Sequence, residues 1–168
     1  LASPSLRDPA GNALDGDGNG QPGPDYNATF ILDVASPSVT SITLSGTSPT
    51  SATSVDYTVA FSEGVSGVTA DDFAPFVVSG SVTFDTPASV TQVDPYTYTV
   101  TVSNIAGDGE LRLDVTDDDS IVDLAGTELG GSGNGNGDFN SGEVYTIDNQ
   151  PPTVNTIAPS DGSVQTSQ

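Results

Sequence analysis

One short stretch of this chain has the residue types and the spacing of a cation-binding loop. Residues 15–20 read Asp-Gly-Asp-Gly-Asn-Gly, so oxygen-bearing side chains occupy positions 1, 3 and 5 and glycine occupies position 6. This spacing matches the first half of an EF-hand loop, in which the glycine permits a sharp turn. Position 12 is Tyr26 instead of glutamate, so an acid at position 11 would have to complete the shell. The predicted calcium ligands are Asp15, Asp17, Asn19 and Asp25; a solvated glycine-rich hairpin loop is the alternative.

The elements that must position such acids are predicted by apolar residues that alternate with polar ones. Val55, Tyr57, Val59 and Phe61 share one face of a segment, and Tyr96, Tyr98, Val100 and Val102 repeat the pattern as core residues. Seven short strands of this kind predict an all-β fold, an immunoglobulin-like antiparallel β-sandwich of about seven strands. The predicted strands cover residues 38–45, 53–62, 72–78, 81–93 (broken), 95–103, 109–116 and 143–148.

An internal repeat sets the domain organisation. When the sequence is shifted by 115 residues, residues 5–45 lie over 120–160 without a gap, and 14 of the 41 aligned positions are identical. Such self-similarity indicates a tandem array. We therefore expect 1–36 to be the C-terminal part of one repeat, 37–150 to be a complete repeat and 151–168 to begin the next. The equivalent glycine-rich loop at 130–138 has lost most of its acids, and we expect it to be a solvated loop.

A second group of acids is predicted to gather at one pole of the complete repeat. Because antiparallel strands alternate in direction, the loops after residues 62 and 116 return to the end where the linker enters. Carboxylates clustered there repel one another unless a cation bridges them. The sequence thus predicts a calcium site at the junction, with solvated loops as the alternative. The predicted ligands are Asp33 from the preceding repeat, then Glu63, Asp71, Asp72, Asp117, Asp119 and Asp123, with Asp148 and Asn149 at the exit.

The composition excludes most other chemistries. The 168 residues carry 23 acidic and two basic side chains, a formal net charge of −21, and they include no histidine or cysteine. Arg7 and Arg112 are the two cations, so no lysine is present either. No imidazole, thiolate or amine is therefore available as a general base or nucleophile, and we expect no enzyme activity. So acidic a surface repels nucleic acid and anionic lipid, while carboxylate oxygens suit a hard cation such as calcium.

Six segments of the chain carry a distinctive sequence pattern. They are Ser-Ile-Thr-Leu-Ser-Gly-Thr-Ser-Pro-Thr (41–50), Tyr-Thr-Val-Ala-Phe-Ser-Glu-Gly-Val-Ser-Gly-Val (57–68), Asp-Asp-Phe (71–73), Tyr-Thr-Val-Thr-Val (98–102), Gly-Asp-Gly-Glu-Leu-Arg-Leu-Asp (107–114) and Tyr-Thr-Ile-Asp-Asn (145–149) before Pro-Pro-Thr-Val. Together they resemble the immunoglobulin-like repeats of very large calcium-dependent surface adhesins and biofilm-associated proteins of bacteria, and the resemblance covers nearly the whole chain.

The resemblance implies a structural repeat of an extracellular, cell-surface fibre or adhesin stalk, with calcium as its cofactor. The expected partners are adjacent repeats of the same chain or fibre, and possible further copies of the chain, with no nucleic acid and no direct membrane insertion. The chain does not begin with methionine, so we expect a piece of a longer exported polypeptide. Two alternatives stay open: a module that binds carbohydrate or a host protein, and a filament subunit that polymerises by strand donation.

Overall fold

The computed structural model describes residues 7–12, 15, 18, 29–30, 32–86 and 88–154. The chain divides into two compact units, Leu1–Asp33 and Val34–Gln168. The strands described below all lie in the second unit. This unit contains the whole of the predicted complete repeat, 37–150, so the positions of its acids can be compared with the prediction.

Within the described residues the second unit contains nine strands and one short 3-10 helix. Seven strands have four or more residues, and the other two have only two residues each. The strands are β1 (Val39–Leu44), β2 (Ser54–Phe61), β3 (Val65–Ser66), β4 (Phe73–Gly80), β5 (Ser89–Asp94), β6 (Thr97–Ser103), β7 (Gly109–Val115), β8 (Val122–Asp123) and β9 (Val144–Ile147), and the helix spans Ala70–Asp72 between β3 and β4.

The strands form two larger antiparallel sheets and one small antiparallel pair. The first sheet has the order β1-β2-β6-β5 and the second the order β4-β7-β9, while β3 pairs with β8. The predicted all-β class is confirmed, and the two sheets around a common core are consistent with a β-sandwich.

Alternation along the strands places one apolar face of each sheet in the core. In β2 the alternate residues Val55, Tyr57, Val59 and Phe61 are buried, as their spacing predicts. Tyr57 also joins the two sheets. Its hydroxyl donates to the carbonyl oxygen of Leu111 in β7 over 2.8 Å, and its ring lies edge-on to that of Tyr145 in β9, with centroids 5.2 Å apart. Burial raises the pKa of the Tyr57 phenol, because the charged form would lose its hydration.

Three local features differ from the sequence-based expectation. The strand predicted over 81–93 is confined to β5, preceded by an isolated bridge at Thr83; Pro87, between them in sequence, has no N–H to donate to a ladder. Tyr96 is not a core residue: it lies in the turn between β5 and β6 and is 53% exposed, whereas Tyr98 is buried. The two-residue strands β3 and β8 were not predicted, since two residues show no periodicity.

Candidate metal centre

The register of the sheets brings several acidic loops to one pole of the second unit. Phe61 at the end of β2 pairs with Val39 at the start of β1. Val115 at the end of β7 pairs with Phe73 at the start of β4. Strand β3, which follows β2, pairs with β8, which follows β7, so the segments after β2 and β7 and the helix before β4 lie at the same end of the two sheets. These segments contain Glu63, Asp71, Asp72, Asp117, Asp118, Asp119 and Asp123.

Within this pole, Glu63 and Asp123 form a candidate pair for cation binding. Strand β3 begins two residues after Glu63, and its Val65 pairs with Asp123 at the end of β8. This short pairing places one carboxylate oxygen of Glu63 within 4.8 Å of one carboxylate oxygen of Asp123. Glu63 is half-buried and Asp123 is only 4% exposed. Little solvent reaches these two carboxylates, so their negative charges are poorly screened from each other. A cation bound between them would neutralise those charges.

The two oxygens of Asp123 have different surroundings. Oδ1 accepts hydrogen bonds from the backbone N–H groups of Ala125, over 2.7 Å, and Thr127, over 2.8 Å. These bonds belong to a tight turn that Gly126 completes with a positive φ of 85°. Oδ2 is buried and has no hydrogen-bond partner. The backbone N–H of Thr127 lowers the pKa of Asp123, so this carboxyl is ionised at neutral pH. An ionised, buried and unpartnered oxygen is thus part of the pair.

Asp72 is at the same pole, but its carboxylate is engaged by the protein itself. It is 2% exposed, at the end of the 3-10 helix. Its Oδ2 accepts from the backbone N–H and the hydroxyl of Thr69, over 2.6 and 3.1 Å, and its Oδ1 accepts from the hydroxyl of Ser120 over 2.9 Å. The helix is therefore tied to the loop after β7. Its neighbour Asp71 is exposed, and the metal-ligand prediction for both residues stays a prediction.

Asp117 and Asp119 hold the glycine-rich loop 130–138 in place. The two Asp117 oxygens accept from the backbone N–H groups of Asp119, over 3.1 Å, and Gly137, over 3.0 Å. Asp119 accepts from the N–H of Gly133 through both oxygens, over 3.0 and 3.1 Å. In return, the backbone N–H of Asp117 donates to Asp138 over 2.8 Å. These bonds give both acids a structural role, and their role as calcium ligands stays a prediction.

Asp148 and Asn149 follow β9 at the opposite pole. The Asn149 backbone N–H donates to Asp108 Oδ1 over 2.7 Å, and its side-chain amide donates to the carbonyl oxygen of Gly107 over 2.7 Å. The Gln150 amide donates to Asp108 Oδ2 over 2.8 Å and is the main reason that the pKa of Asp108 is lowered. Asp148 is exposed and accepts from the Gln150 backbone N–H over 3.0 Å. The exit segment is thus fastened to the loop before β7.

The EF-hand-like loop of the first unit is described only in part. Asp15 is half-buried and its Oδ1 accepts from the backbone N–H of Gly18 over 2.8 Å, a turn typical of aspartate. The other predicted ligands of this loop, Asp17, Asn19 and Asp25, lie outside the described residues. Asp33 is exposed and ends the first unit. The predictions for these five acids and amides therefore stay predictions.

A shallow groove lies away from the acidic pole, beside the loop after β1. It has a volume of about 260 Å³ and is lined by residues between 45 and 56, most of them small and about half of them with a hydroxyl, together with Tyr145. The Tyr145 hydroxyl donates to the backbone carbonyl oxygen of Asp56 over 3.0 Å. The groove offers hydroxyls but only one aromatic ring, so a carbohydrate ligand stays an untested alternative.

Comparisons with protein-family models, curated proteins and solved structures give no match to this chain. Among the described residues, no helix is long and apolar enough to cross a lipid bilayer. The geometry of the second unit and the 115-residue repeat in the sequence are therefore the indications of function. Sequence patterns had indicated the acids of the pole, but the contribution of Thr127 to the Asp123 turn was missed. The sequence repeat could have drawn attention to this position. It aligns Asp8 with Asp123, and the residue four positions later is Asn12 in one copy and Thr127 in the other.

Proposed function

We propose that this chain is a calcium-stabilised, immunoglobulin-like repeat that acts as a structural spacer in an extracellular bacterial fibre or adhesin stalk. The observation that carries the proposal is the Asp123 carboxylate, with one buried oxygen unpartnered and a Glu63 carboxylate oxygen within 4.8 Å. The composition supports the same function. The chain is strongly acidic, and it lacks the histidine, cysteine and lysine side chains that most enzymes use as general bases or nucleophiles. The repeat of 115 residues supports an array of such units.

Calcium fits this pair better than the other common protein metals. Both residues offer hard carboxylate oxygens, and the chain has neither the imidazole nor the thiolate that zinc or iron–sulfur clusters prefer. Calcium tolerates irregular shells of six to eight oxygens, including carbonyl oxygens and water, whereas magnesium requires tight octahedral geometry. Two carboxylates, with backbone carbonyl oxygens and water to complete an irregular shell, therefore favour calcium over magnesium.

The stabilising effect follows from where the pair lies. Glu63 follows β2, a strand of the first sheet. Asp123 is the last residue of β8, which follows β7 of the second sheet in sequence. A cation held by both would fasten two loops that are 60 residues apart in sequence. An ion that binds only the folded state stabilises it by RT ln(1 + [L]/Kd), about 4 kcal/mol at a thousandfold excess over Kd. Such stabilisation would replace the disulfides that this cysteine-free chain cannot form.

The test is calcium-dependent thermal melting of the full chain at constant ionic strength. Wild type should melt at a higher temperature in calcium than in chelator, and magnesium should substitute poorly. Asp123→Asn and Glu63→Gln should each lose most of the calcium-dependent increase. Asp56→Asn is the matched control, since it removes one charge at the other end of β2 and should keep the increase. The proposal fails if calcium leaves the wild-type melting temperature unchanged, or if the control loses as much as the two variants.

Exposed apolar residues in the first unit favour a second candidate function, a filament subunit that donates a strand. Phe30 and Leu32 are 82% and 72% exposed, yet the 115-residue repeat aligns them with Tyr145 and Ile147, which are each 1% exposed in the core beside β7. A segment that exposes such residues could add to the sheet of another copy as a strand. Sedimentation of the full chain at increasing concentration tests this candidate. Assembly that disappears in Phe30→Ser/Leu32→Ser would support it, and a monomer at all concentrations would exclude it.

A further inference from the structure

Two turns, one in each unit, have the same backbone hydrogen bonds at positions 115 residues apart. In the first, the N–H of Asp8 donates to the Asn12 carbonyl oxygen over 3.0 Å; in the second, the N–H of Asp123 donates to the Thr127 carbonyl oxygen over 3.0 Å. In both turns the aspartate Oδ1 accepts from the N–H of the residue four positions later, over 2.8 Å. Gly11 and Gly126 take equivalent positive φ angles of 89° and 85°. The backbone therefore presents each aspartate in the same way.

The turns differ in what the second carboxylate oxygen meets. In the first, the Asn12 side-chain amide donates to Asp8 Oδ2 over 2.8 Å, so the turn satisfies both oxygens internally. In the second, threonine stands at the equivalent place, and Asp123 Oδ2 is buried without a hydrogen-bond partner. Oδ1 of Asp123 already accepts two backbone bonds, so Oδ2 is the oxygen that remains available.

We propose that the residue at the fourth position after the turn aspartate determines whether the repeat can hold a cation there. Asparagine closes the turn by donating its amide to Oδ2, and threonine at 127 leaves Oδ2 free to act as a ligand beside Glu63. Thr127 is thus a specificity-determining residue that contacts the aspartate and need not contact the ion. The inference rests on the proposed calcium function of the Glu63–Asp123 pair.

The substitution Thr127→Asn tests the inference without removing any carboxylate or changing the net charge. In the full chain it should lower calcium affinity by about 10- to 100-fold, the usual effect of altering a group that orients a metal ligand. In chelator its melting temperature should equal or exceed that of wild type, because the new amide satisfies the buried oxygen. Thr127→Ser is the matched control; it cannot supply an amide and should bind calcium as wild type does.

Calcium titration by calorimetry, combined with melting in chelator, separates the outcomes. Reduced affinity in Thr127→Asn with undiminished stability in chelator supports the inference. Unchanged or stronger binding by Thr127→Asn overturns it and leaves the proposed calcium function standing. Reduced affinity in Thr127→Ser also overturns it, because the threonine side chain would then be acting through its own shape or oxygen. A wild-type chain that binds no calcium overturns the proposed function itself.

Discussion

Removing the Asp72 carboxylate should destabilise the second unit whether or not calcium is present. The carboxylate accepts three hydrogen bonds, two from Thr69 and one from Ser120, and these tie the 3-10 helix to the loop after β7. Hydrogen bonds to a charged group contribute about 1.5–3 kcal/mol each when buried, but both donor residues are exposed and can bond to water instead. Because water can replace these partners, we expect Asp72→Ala to cost roughly 2–3 kcal/mol in total, below the roughly 4.5–9 kcal/mol that three fully buried bonds would sum to.

The assays are urea denaturation and thermal melting, both in the presence of chelator so that no cation contributes. For a chain of this size the expected cost corresponds to a fall in Tm of roughly 4–12 °C. Asp71→Ala is the matched control, since it removes the same charge from the adjacent, exposed helix position and should change stability by less than about 0.5 kcal/mol. Equal losses in the two variants would refute the reasoning. So would an Asp72→Ala loss that appears only in calcium, because Asp72 would then act through an ion.

Three further predictions concern the core, a tight turn and the domain boundary. Burial raises the pKa of Tyr57, so the folded state favours the neutral phenol. The contribution of this group to the free energy of unfolding should therefore be constant below about pH 10 and fall as the pH rises above it. Urea midpoints at increasing pH should show a smaller fall for Tyr57→Phe than for wild type. Gly107→Ala should cost at least about 2 kcal/mol, since its Cβ would lie 2.2 Å from the Ser81 carbonyl oxygen; Gly126→Ala, with the same φ of 85° and nothing within 4 Å, should cost only about 1 kcal/mol, and equal urea midpoints would contradict this. A fragment of residues 36–150 should give the dispersed amide NMR signals of a folded monomer, and collapse of the fragment would favour strand donation.

Much of the fold could be predicted because its strands follow a simple physical pattern. Alternation along 53–62 and 109–116 identified β2 and β7 to within a few residues, since one face of each must enter the core. Antiparallel direction then sufficed to place the loops after these strands at one pole. The pattern failed where few residues were involved, as in β3 and β8, and where the chain turned early, as at Tyr96.

The candidate site was predictable in its residue types but not in its pairings. Glu63 and Asp123 were both expected at the pole, yet their proximity depends on the two-residue pairing of β3 with β8, which has no sequence signature. Similarly, the bond between Ser120 and Asp72 joins residues 48 positions apart and depends on how the loops pack. The sequences of the two turns differ only at Pro9/Leu124 and Asn12/Thr127, and the unpartnered Asp123 oxygen becomes evident only when the hydrogen bonds of both turns are compared.

The measurement that tests the central claim most directly is a crystal structure of the full chain grown in calcium. The account predicts an ion between Glu63 and Asp123, with carboxylate oxygens of both residues at about 2.3–2.6 Å from it, as is usual for calcium. Anomalous scattering would identify the ion independently of these distances. Well-ordered Glu63 and Asp123 side chains without an ion between them would contradict the account, as would calcium bound only to the exposed acids elsewhere on the second unit.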